Sequence, residues 1–299
     1  RSTLFPYTTL FRSIIDPDLV GVESDPPKYR HVYHKLISIM SDYSPHIQMK
    51  SIDEGVIDFT RSTDLIKRRD LVEVGYEIKR RLKEEIGCHM RCNIGIAPNR
   101  FLAKMAASLH KPDGLDVINY ENLREVMSEL TLKDLTGIAS RNERRLNAVG
   151  IYTPLDMLDA TPEMLHEAFH SICGEQWHQR LRGWEVDDVD YDLKSCGRQY
   201  VMEVRGASRE VVMARMHNLV ESVGAKLRKA GKSARGVGVY VRMSDGDYLG
   251  SSNGRWGKKG GYWHEKYLAP LPFYSDQAIW RITRRLMAHA SIIDRKSVV

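Results

Sequence analysis

The chain lacks the features that would place it in a membrane or in an oxidising compartment. Its 299 residues contain no run of about 18 apolar residues, the length that a membrane-spanning helix needs. It holds only four cysteines, Cys88, Cys92, Cys173 and Cys196, and none of them forms a CxxC pair. Scattered thiols of this kind are typical of a reduced, cytoplasmic protein. The sequence therefore predicts a cytoplasmic chain with no membrane segment and no disulfide framework.

Acidic residues are scarce in the C-terminal third. The whole chain has a formal net charge of +6, with 42% hydrophobic and 28% charged residues, as is ordinary for a globular protein of two or three domains. Residues 14–194 hold 24 Lys and Arg against 31 Asp and Glu, whereas residues 195–293 hold 17 against seven. A basic C-terminal domain suits a polyanionic partner, although many basic surfaces are only solvated.

The two ends of the chain show no periodicity and no helix-capping signal. They resemble a translated short-read sequencing adapter, because the oligonucleotide GATCGGAAGAGCGTCGTG translates to DRKSVV and its reverse complement gives TTLFR. One oligonucleotide accounts for both ends, so residues 1–13 and 294–299 are expected to be artefacts, with the natural chain cut at each end. Natural disordered tails are the alternative.

Helices and short strands alternate between residues 25 and 118, which indicates an α+β sheet domain. Asp25 and Asp70 are expected to cap two of the helices, because each precedes an apolar pattern of helical period. The predicted order is helix 25–44, strand or hairpin arm 51–59, helix 70–86, strand 91–96, helix 98–109 and strand 115–118.

Only short helices are expected between residues 119 and 192, and they form a small helical domain with a linker after it at 193–197. From residue 198 the stretches QYVMEV, ARGVGVYVRMS and DYLGSS are predicted strands, and a long helix and a final helix accompany them. The fold class is therefore α+β with several domains.

Two adjacent acids, Asp53 and Glu54, interrupt the strand-like stretch KSIDEGVIDFT. Neighbouring strand residues point to opposite faces, so both carboxylates converge only if a turn or bulge follows at Gly55. Mg²⁺ takes oxygen ligands and keeps places for water and phosphate, which makes the pair a candidate metal site. An exposed acidic hairpin tip is the simpler interpretation of the dipeptide alone.

Three cations lie in the stretch NIGIAPNRFLAKMAASLHKPDG, which is predicted to run strand, loop, helix and turn. Arg100, Lys104 and Lys111 are candidate anion contacts, since helix N-terminal amides and basic side chains favour phosphate. A solvated basic helix face is the alternative.

Further along, LTGIASRNERRLNAVGI resembles a helix-hairpin-helix, in which the amides of a glycine turn face a DNA phosphate. Ala139 stands where the usual hairpin has a second glycine.

Two further stretches have weaker signals. HEAFH, at residues 166–170, matches the HExxH pattern of zinc hydrolases, but a zinc site needs a third ligand, and Glu185 comes only after a helix break at Gly183. Residues 254–267 combine two Trp and two Tyr with Lys, Arg and Gly, which suits base stacking and phosphate contact. An ordinary hairpin insert explains the second stretch equally well.

Three of these stretches, taken in order, resemble a Y-family DNA polymerase of the bacterial translesion type, DinB/UmuC-like. They are SIDEGVIDFT, NIGIAPNRFLAKMAASLHKPDGLDVI and the LTGIA…LNAVGI hairpin. The resemblance covers residues 14 to about 290. It implies the end of the fingers and an incomplete palm over 14–118, a thumb over 119–192 and a little finger over 198–293.

The resemblance implies template-directed addition of a deoxynucleotide to a DNA primer 3′ end, with two Mg²⁺ ions. Asp53 and Glu54 would be metal ligands, and Glu54 would lie nearest the primer-activating ion as the catalytic carboxylate. Lys111 would contact the incoming triphosphate, with Arg100 and Lys104 as further nucleotide contacts.

The implied partners are primer–template DNA, deoxynucleoside triphosphates and, for the full-length protein, a sliding clamp, with the protein itself a monomer. The clamp-binding peptide of the family is absent from this sequence. The residues implied in DNA binding are Gly137, Ile138, Ala139, Arg141, Arg235, Lys258 and Lys259.

The sequence departs from the family pattern at the metal site. The DxDxFF-like segment, which supplies a further metal aspartate and the aromatic residue that excludes ribonucleotides, does not occur. The chain as written is therefore expected not to polymerise efficiently. A polymerase-like factor that only binds or recruits to DNA remains the alternative, and a zinc hydrolase is a remote one. A nucleotide cyclase with a similar palm would not explain the hairpin or the basic domain.

Overall fold

The computed structural model describes residues 24–63, 68–189, 194–202, 207–242 and 262–290. These residues fall into two compact units, one ending at Asp190 and the other beginning at Tyr191. The adapter-like ends, the predicted fingers segment up to residue 23, and Lys258 and Lys259 lie outside the described residues. Within the described residues, no helix combines the length and the apolar character needed to cross a membrane.

The N-terminal unit mixes helices with short strands. Its helices are α1 Pro26–Ser41, α2 Leu71–Glu85, α3 Arg100–Leu109, α4 Leu123–Ser128, α5 Ser140–Ala148, α6 Pro154–Asp159, α7 Pro162–Phe169 and α8 Cys173–Leu181. Its strands are β1 Ile47–Met49, β2 Gly55–Ile57, β3 Ile94–Ile96 and β4 Leu115–Val117, and a 3₁₀ turn occupies Leu132–Asp134. All the helices predicted in this unit are present, within a few residues of their expected bounds.

Side-chain caps begin the longer helices. Asp25 and Asp70 accept hydrogen bonds from the first-turn amides of α1 and α2, as predicted, and so satisfy backbone donors that have no partner inside a helix. For α3 the cap is Asn99, whose side chain accepts from the amide of Leu102. Pro98 stands just outside this helix.

The acidic stretch forms a short hairpin, and the predicted strand over 51–59 was wrong in its bounds. β1 and β2 pair antiparallel, with Met49 opposite Gly55. Residues 50–54 form the connection between the two strands, so the turn comes before Glu54 and not after it. The reason is local: the amides of Lys50 and Ser51 both donate to the carbonyl of Glu54, which closes the loop at that residue.

Parallel strands β3 and β4 lead into the main apolar core. Gly95 of β3 lies so close to α3 that an added Cβ would overlap the backbone of Ala103 and Ala107. The buried face of α3 then joins a cluster that continues through α4 to α8, where it meets Trp177 and Leu181. The predicted boundary between palm and thumb at residues 118 and 119 therefore does not divide this core.

The C-terminal unit has two layers in its described residues. Helices α9 Arg209–Lys229 and α10 Asp276–Ala288 pack on one face of a two-stranded antiparallel sheet of β5 Ala234–Arg242 and β6 Tyr262–Phe273. Val239 of β5 is buried against Leu286 and Met287 of α10. Along β6 the side chains alternate, with Trp263 and Tyr267 turned to the helices.

One strand of this unit was not predicted, and one predicted strand is absent from its described residues. β6 was not predicted, because its first part was assigned to the insert 254–267, and Pro270 and Pro272 argue against a central strand. The structure accommodates them at the end of a sheet that has only two strands in its described residues. Residues 199–202, the described part of the predicted strand QYVMEV, do not lie in a strand, and DYLGSS lies outside the described residues.

Candidate functional site

The two acids of SIDEG lie in the connection between β1 and β2, accessible to solvent. The Asp53 carboxylate accepts a hydrogen bond from the Ser51 hydroxyl at 2.5 Å, which holds it over its own loop. Glu54 is fixed through its backbone, because its carbonyl accepts the amides of Lys50 and Ser51 at 2.8 and 3.1 Å. Both carboxylates therefore sit on an ordered turn with oxygen atoms free to accept further ligands.

An ion pair joins this turn to α3. The Nζ atom of Lys104 lies 2.7 Å from Oε2 of Glu54, and the two side chains are 39% and 41% exposed. Two of the residues that the sequence singled out, 50 positions apart, are thus in contact. An ion pair this exposed contributes at most about 1 kcal/mol to stability, so either partner can exchange for another ion at low cost.

Arg100 has a different environment. Its side chain is only 11% exposed, and its guanidinium donates to Glu185 at 3.0 Å and to Asp188 at 2.7 Å. Burial acts to lower the pKa of Arg100, but the hydrogen bonds to these carboxylates outweigh it and raise the pKa. The side chain would have to leave both carboxylates to bind a triphosphate, and this geometry favours a role in fixing the start of α3.

The KPDG turn presents Lys111 on the surface, after which the backbone turns through a cis Lys111–Pro112 bond and a left-handed Asp113 with φ of 66°. Lys79 of α2 holds the turn from below with a side chain only 9% exposed. Its ammonium donates within 3.2 Å to four acceptors: the carbonyls of Cys92, Asp113 and Gly114 and the carboxylate of Asp113.

Sequence reasoning missed Lys79 and the two acids that hold Arg100. The signal for Lys79 was present, since it lies among the buried positions of α2 with Gly75 and Ile78, where a lysine is rarely buried without a partner. Glu185 was considered only as a zinc ligand. Nothing local indicates that Glu185 and Asp188 meet Arg100, because more than 80 residues separate them in the chain.

The helix-hairpin-helix stretch forms a glycine turn followed by α5. Gly137 has φ of 102°, a conformation that favours glycine, while Ile138 anchors the turn with only 4% exposure. Ala139 is the N-cap of α5 and offers no side-chain cap. In the described residues, no hydrogen bond engages the amides of Gly137 and Ala139. These donors and the helix N-terminus favour an anion, with Arg141 exposed one residue into the helix.

The basic unit exposes the outer face of its sheet. Gly236, Gly238 and Tyr240 of β5 alternate outward, and Tyr240 stacks on His264 of β6 with ring centroids 5.6 Å apart. Arg235 is exposed at the start of β5. Leu268 lies over Gly236 and the Tyr240 ring lies over Gly238, so exposed side chains and not bare backbone cover this face.

The HEAFH stretch does not present zinc ligands. His166 lies in α7, but His170 follows the end of that helix in a left-handed conformation with φ of 50°, so the helical spacing that the signature needs is interrupted. Among the residues that the structure describes, no group of three or more His, Cys, Asp or Glu side chains could hold a metal ion. The zinc-hydrolase alternative gains no support, and a metal at Asp53 and Glu54 would need ligands from substrate or water.

Two models of one protein family match separate parts of the chain. Residues 11–108 match the model of the impB/mucB/samB family, and residues 193–297 match the model of the C-terminal domain of the same family. Together the two matches cover more than half of the chain. The chain therefore belongs to the impB/mucB/samB family.

The relatives carry a particular name. The chain is 29% identical over 233 residues to DNA polymerase IV 1 of Halalkalibacterium halodurans, covering 77% of this chain and 55% of that protein. It is 29% identical over 259 residues to DNA polymerase IV of Moorella thermoacetica, covering 85% of this chain and 60% of that protein. The chain thus spans little more than half the length of these curated relatives.

Solved structures show the same fold. A Y-family DNA polymerase chimera of Dbh and Dpo4 superposes with a TM-score of 0.70 at 19% identity, covering 93% of this chain and 75% of that one. The insertion ternary complex of Dbh DNA polymerase gives 0.56 at 18% identity, covering 95% and 78%. The Y-family resemblance expected from the three sequence stretches is confirmed at the level of family and fold.

Proposed function

We propose that this chain is part of a translesion DNA polymerase that adds deoxynucleotides to a primer 3′ end. The observation that carries the proposal is the ion pair between Glu54 and Lys104, because it brings the acidic turn and the basic helix of two separate motifs to one place. A carboxylate that can hold a cation beside an ammonium that can hold a phosphate is what nucleotidyl transfer requires.

The residues at the turn fit a magnesium ion. Asp53 and Glu54 provide accessible carboxylate oxygens, and Mg²⁺ in nucleotide sites binds one or two carboxylates and completes its shell with water and phosphate. When bound, the two ions of the proposed mechanism would activate the primer hydroxyl and stabilise charge on the transferred phosphate. Ser51 orients the Asp53 carboxylate, while Lys104 balances the charge of Glu54 and is placed to move to the triphosphate.

The other proposed contacts follow the order of the chain. Lys111 would meet the triphosphate from the KPDG turn that Lys79 holds. The amides of Gly137 and Ala139 would receive a DNA phosphate, with Arg141 beside them. The predicted contact from the Ile138 amide does not fit, because that amide donates to the Leu135 carbonyl at 2.9 Å. In this proposal, the N-terminal unit supplies palm and thumb, and the basic unit, with Arg235 and the exposed face of its sheet, acts as the little finger on duplex DNA.

Nucleotide binding tests the proposal directly. A fluorescent deoxynucleotide is titrated into the full chain bound to primer–template DNA, with Ca²⁺ replacing Mg²⁺ so that no turnover occurs. We expect Asp53→Asn and Glu54→Gln each to weaken ion-dependent nucleotide binding about 10-fold or more, because each removes one ionised ligand.

Glu73→Gln is the matched control, because Glu73 is an exposed carboxylate in the first turn of α2. It should leave nucleotide binding unchanged. DNA binding that persists without any ion-dependent nucleotide binding would overturn the polymerase proposal and favour the DNA-binding factor instead.

Primer extension addresses the missing third carboxylate. Because the DxDxFF-like segment does not occur in this sequence, we propose that extension by this chain is slow even when nucleotide binding is intact. Mg²⁺-dependent synthesis by the chain at ordinary polymerase rates would refute this part, and the nucleotide-binding result would stand independently.

A further inference from the structure

The outer surface of α10 is basic and has no function in the proposed polymerase site. Gln277, Arg281, Arg284 and Arg285 follow one another along one exposed side of the helix. Together with Trp280 they line an open groove of about 550 Å³. Three arginines on two turns of one helix repel one another unless an anion lies between them.

No carboxylate of the described residues neutralises these arginines. In the described part of the chain, neither Arg281 nor Arg284 forms an ion pair, and Arg285 reaches only the ring of Tyr267, with its guanidinium carbon 5.8 Å from the ring centroid. The nearby acids already have partners: Asp276 pairs with Arg228 at 2.6 Å, and Glu265 with His289 at 3.1 Å.

The groove also holds one aromatic side chain. Trp280 is partly buried, and its ring packs edge-on against His217 of α9 with centroids 4.7 Å apart. That contact fixes the ring among the residues that line the groove, next to Gln277 and the arginines. Among the described residues, no aliphatic side chain lines the groove, so a peptide would find no contact there for aliphatic anchors.

We propose that this groove, formed by the outer face of α10, binds single-stranded nucleic acid. Arg281 and Arg284 are about 4.5 Å apart along the helix axis, and their guanidinium groups can each take a phosphate of an extended strand. A base can lie against Trp280, and Gln277 can donate and accept at its edge. A duplex would present phosphates but no unpaired base to the tryptophan.

This surface is distinct from the one proposed for duplex DNA. α10 packs its buried side on the inner face of the sheet through Leu286 and Met287, so its outer side faces away from the open face of the sheet. The two faces belong to opposite layers of the same unit. Single-strand binding on α10 therefore requires neither the metal site nor the duplex contacts.

Fluorescence anisotropy with a labelled oligo(dT) of about 12 nucleotides tests the proposal on the full chain. We expect the double variant Arg281→Ala/Arg284→Ala to bind about 10-fold more weakly. The slope of log K against log salt should fall by about 1.4, or about 0.7 for each lost phosphate contact. Trp280→Phe should weaken binding about 5-fold and reduce the quenching of tryptophan fluorescence by the oligonucleotide.

The control variant Lys226→Ala/Lys229→Ala removes the same charge from exposed positions of α9 in the same layer. It should keep oligo(dT) affinity within about 2-fold. Equal losses in the two double variants would overturn the proposal in favour of diffuse attraction. Equally strong competition by polyglutamate, with no effect of Trp280→Phe, would overturn it in favour of an acidic peptide. If the affinity for a 12-base-pair duplex falls as much in Arg281→Ala/Arg284→Ala as the affinity for oligo(dT) does, the proposal is overturned and the face is a duplex-binding surface.

Discussion

At the scale of single residues, the KPDG turn depends on a cation that never reaches the surface. The Lys79 ammonium donates hydrogen bonds to three carbonyls and one carboxylate in the turn and just before β3. It therefore replaces the water that these groups would otherwise bind. Asp113, held in the left-handed region, stays ionised to lower pH because the Lys79 ammonium lowers its pKa. The position of Lys111 is therefore set by a residue that lies 32 positions earlier in the chain.

Replacing Lys79 should loosen the turn and change its response to acid. The pKa of Asp113 is lowered from 3.8 to about 2, first of all by the hydrogen bond from Lys79. This lowering stabilises the fold above about pH 4 and is lost as the pH falls toward 2. Lys79→Met should cost about 3 kcal/mol at neutral pH, because it removes the buried ammonium from three carbonyls and leaves the Asp113 carboxylate with only the exposed Lys83 as a cation. It should also flatten the loss of stability between pH 4 and 2.

Urea unfolding followed by circular dichroism at several pH values measures both effects. Lys83→Met serves as the control, because Lys83 also pairs with Asp113, at 3.3 Å, but is 44% exposed. It should cost less than about 1 kcal/mol. If both variants lose the same free energy of unfolding, burial is not the source of the effect.

At the scale of elements, glycines set how closely helices approach their neighbours. Gly95 allows the backbone of α3 to lie directly on β3, and Gly174 does the same where α8 crosses α7 at Leu165. In both places a Cβ would meet main-chain atoms, which have no freedom to move aside. The position of α3, and with it that of Lys104, follows from this contact.

Gly95→Ala should therefore destabilise the N-terminal unit by about 3 kcal/mol, the upper part of the range for overpacking. Gly87→Ala is the matched control in the same unit, because its added Cβ would meet only Met90 at an ordinary 3.9 Å. Thermal unfolding of the two variants gives the comparison. Equal stability of Gly95→Ala and the wild type would show that β3 and α3 can separate without cost.

Most of the helices and their starts could be predicted from the sequence. Asp25 and Asp70 predict the starts of their helices correctly, because capping is a local interaction. The spacing of the apolar residues of α2 likewise predicts its helical period. β6 could not be predicted in the same way. Its pairing with β5 is non-local, Glu265 occupies an inward position against His289, and two prolines contradict the usual strand composition. The contact of Glu54 with Lys104 is likewise created by the packing of distant elements.

At the scale of the whole molecule, charge is divided between the two units. The acidic N-terminal part carries the proposed metal turn, and the basic C-terminal part carries an excess of ten positive charges over residues 195–293. A protein arranged this way attracts a polyanion through one unit, while the carboxylates of the other need cations before they can approach it. Affinity for DNA should then depend chiefly on the basic unit.

The salt dependence of duplex binding tests this division. Arg235→Ala/Lys266→Ala, on the sheet of the basic unit, should lower the slope of log K against log salt by about 1.8, or about 0.9 for each contact. Lys35→Ala/Arg80→Ala removes two exposed cations from α1 and α2 and should leave the slope unchanged. Equal changes in the two variants would mean that both units contribute alike.

The shared core of the N-terminal unit has a mechanical consequence. α3 buries Phe101 and Leu102 in the cluster that also holds Ile138, beside the glycine turn at Gly137. The helix that carries Lys104 and the turn that offers amides to phosphate are thus parts of one rigid body. The distance between the helix and the turn is therefore fixed by the apolar side chains that pack between them. If DNA binds as proposed, this fixed distance sets how far the bound DNA phosphate lies from the reacting primer end. No contact to a base is needed for that.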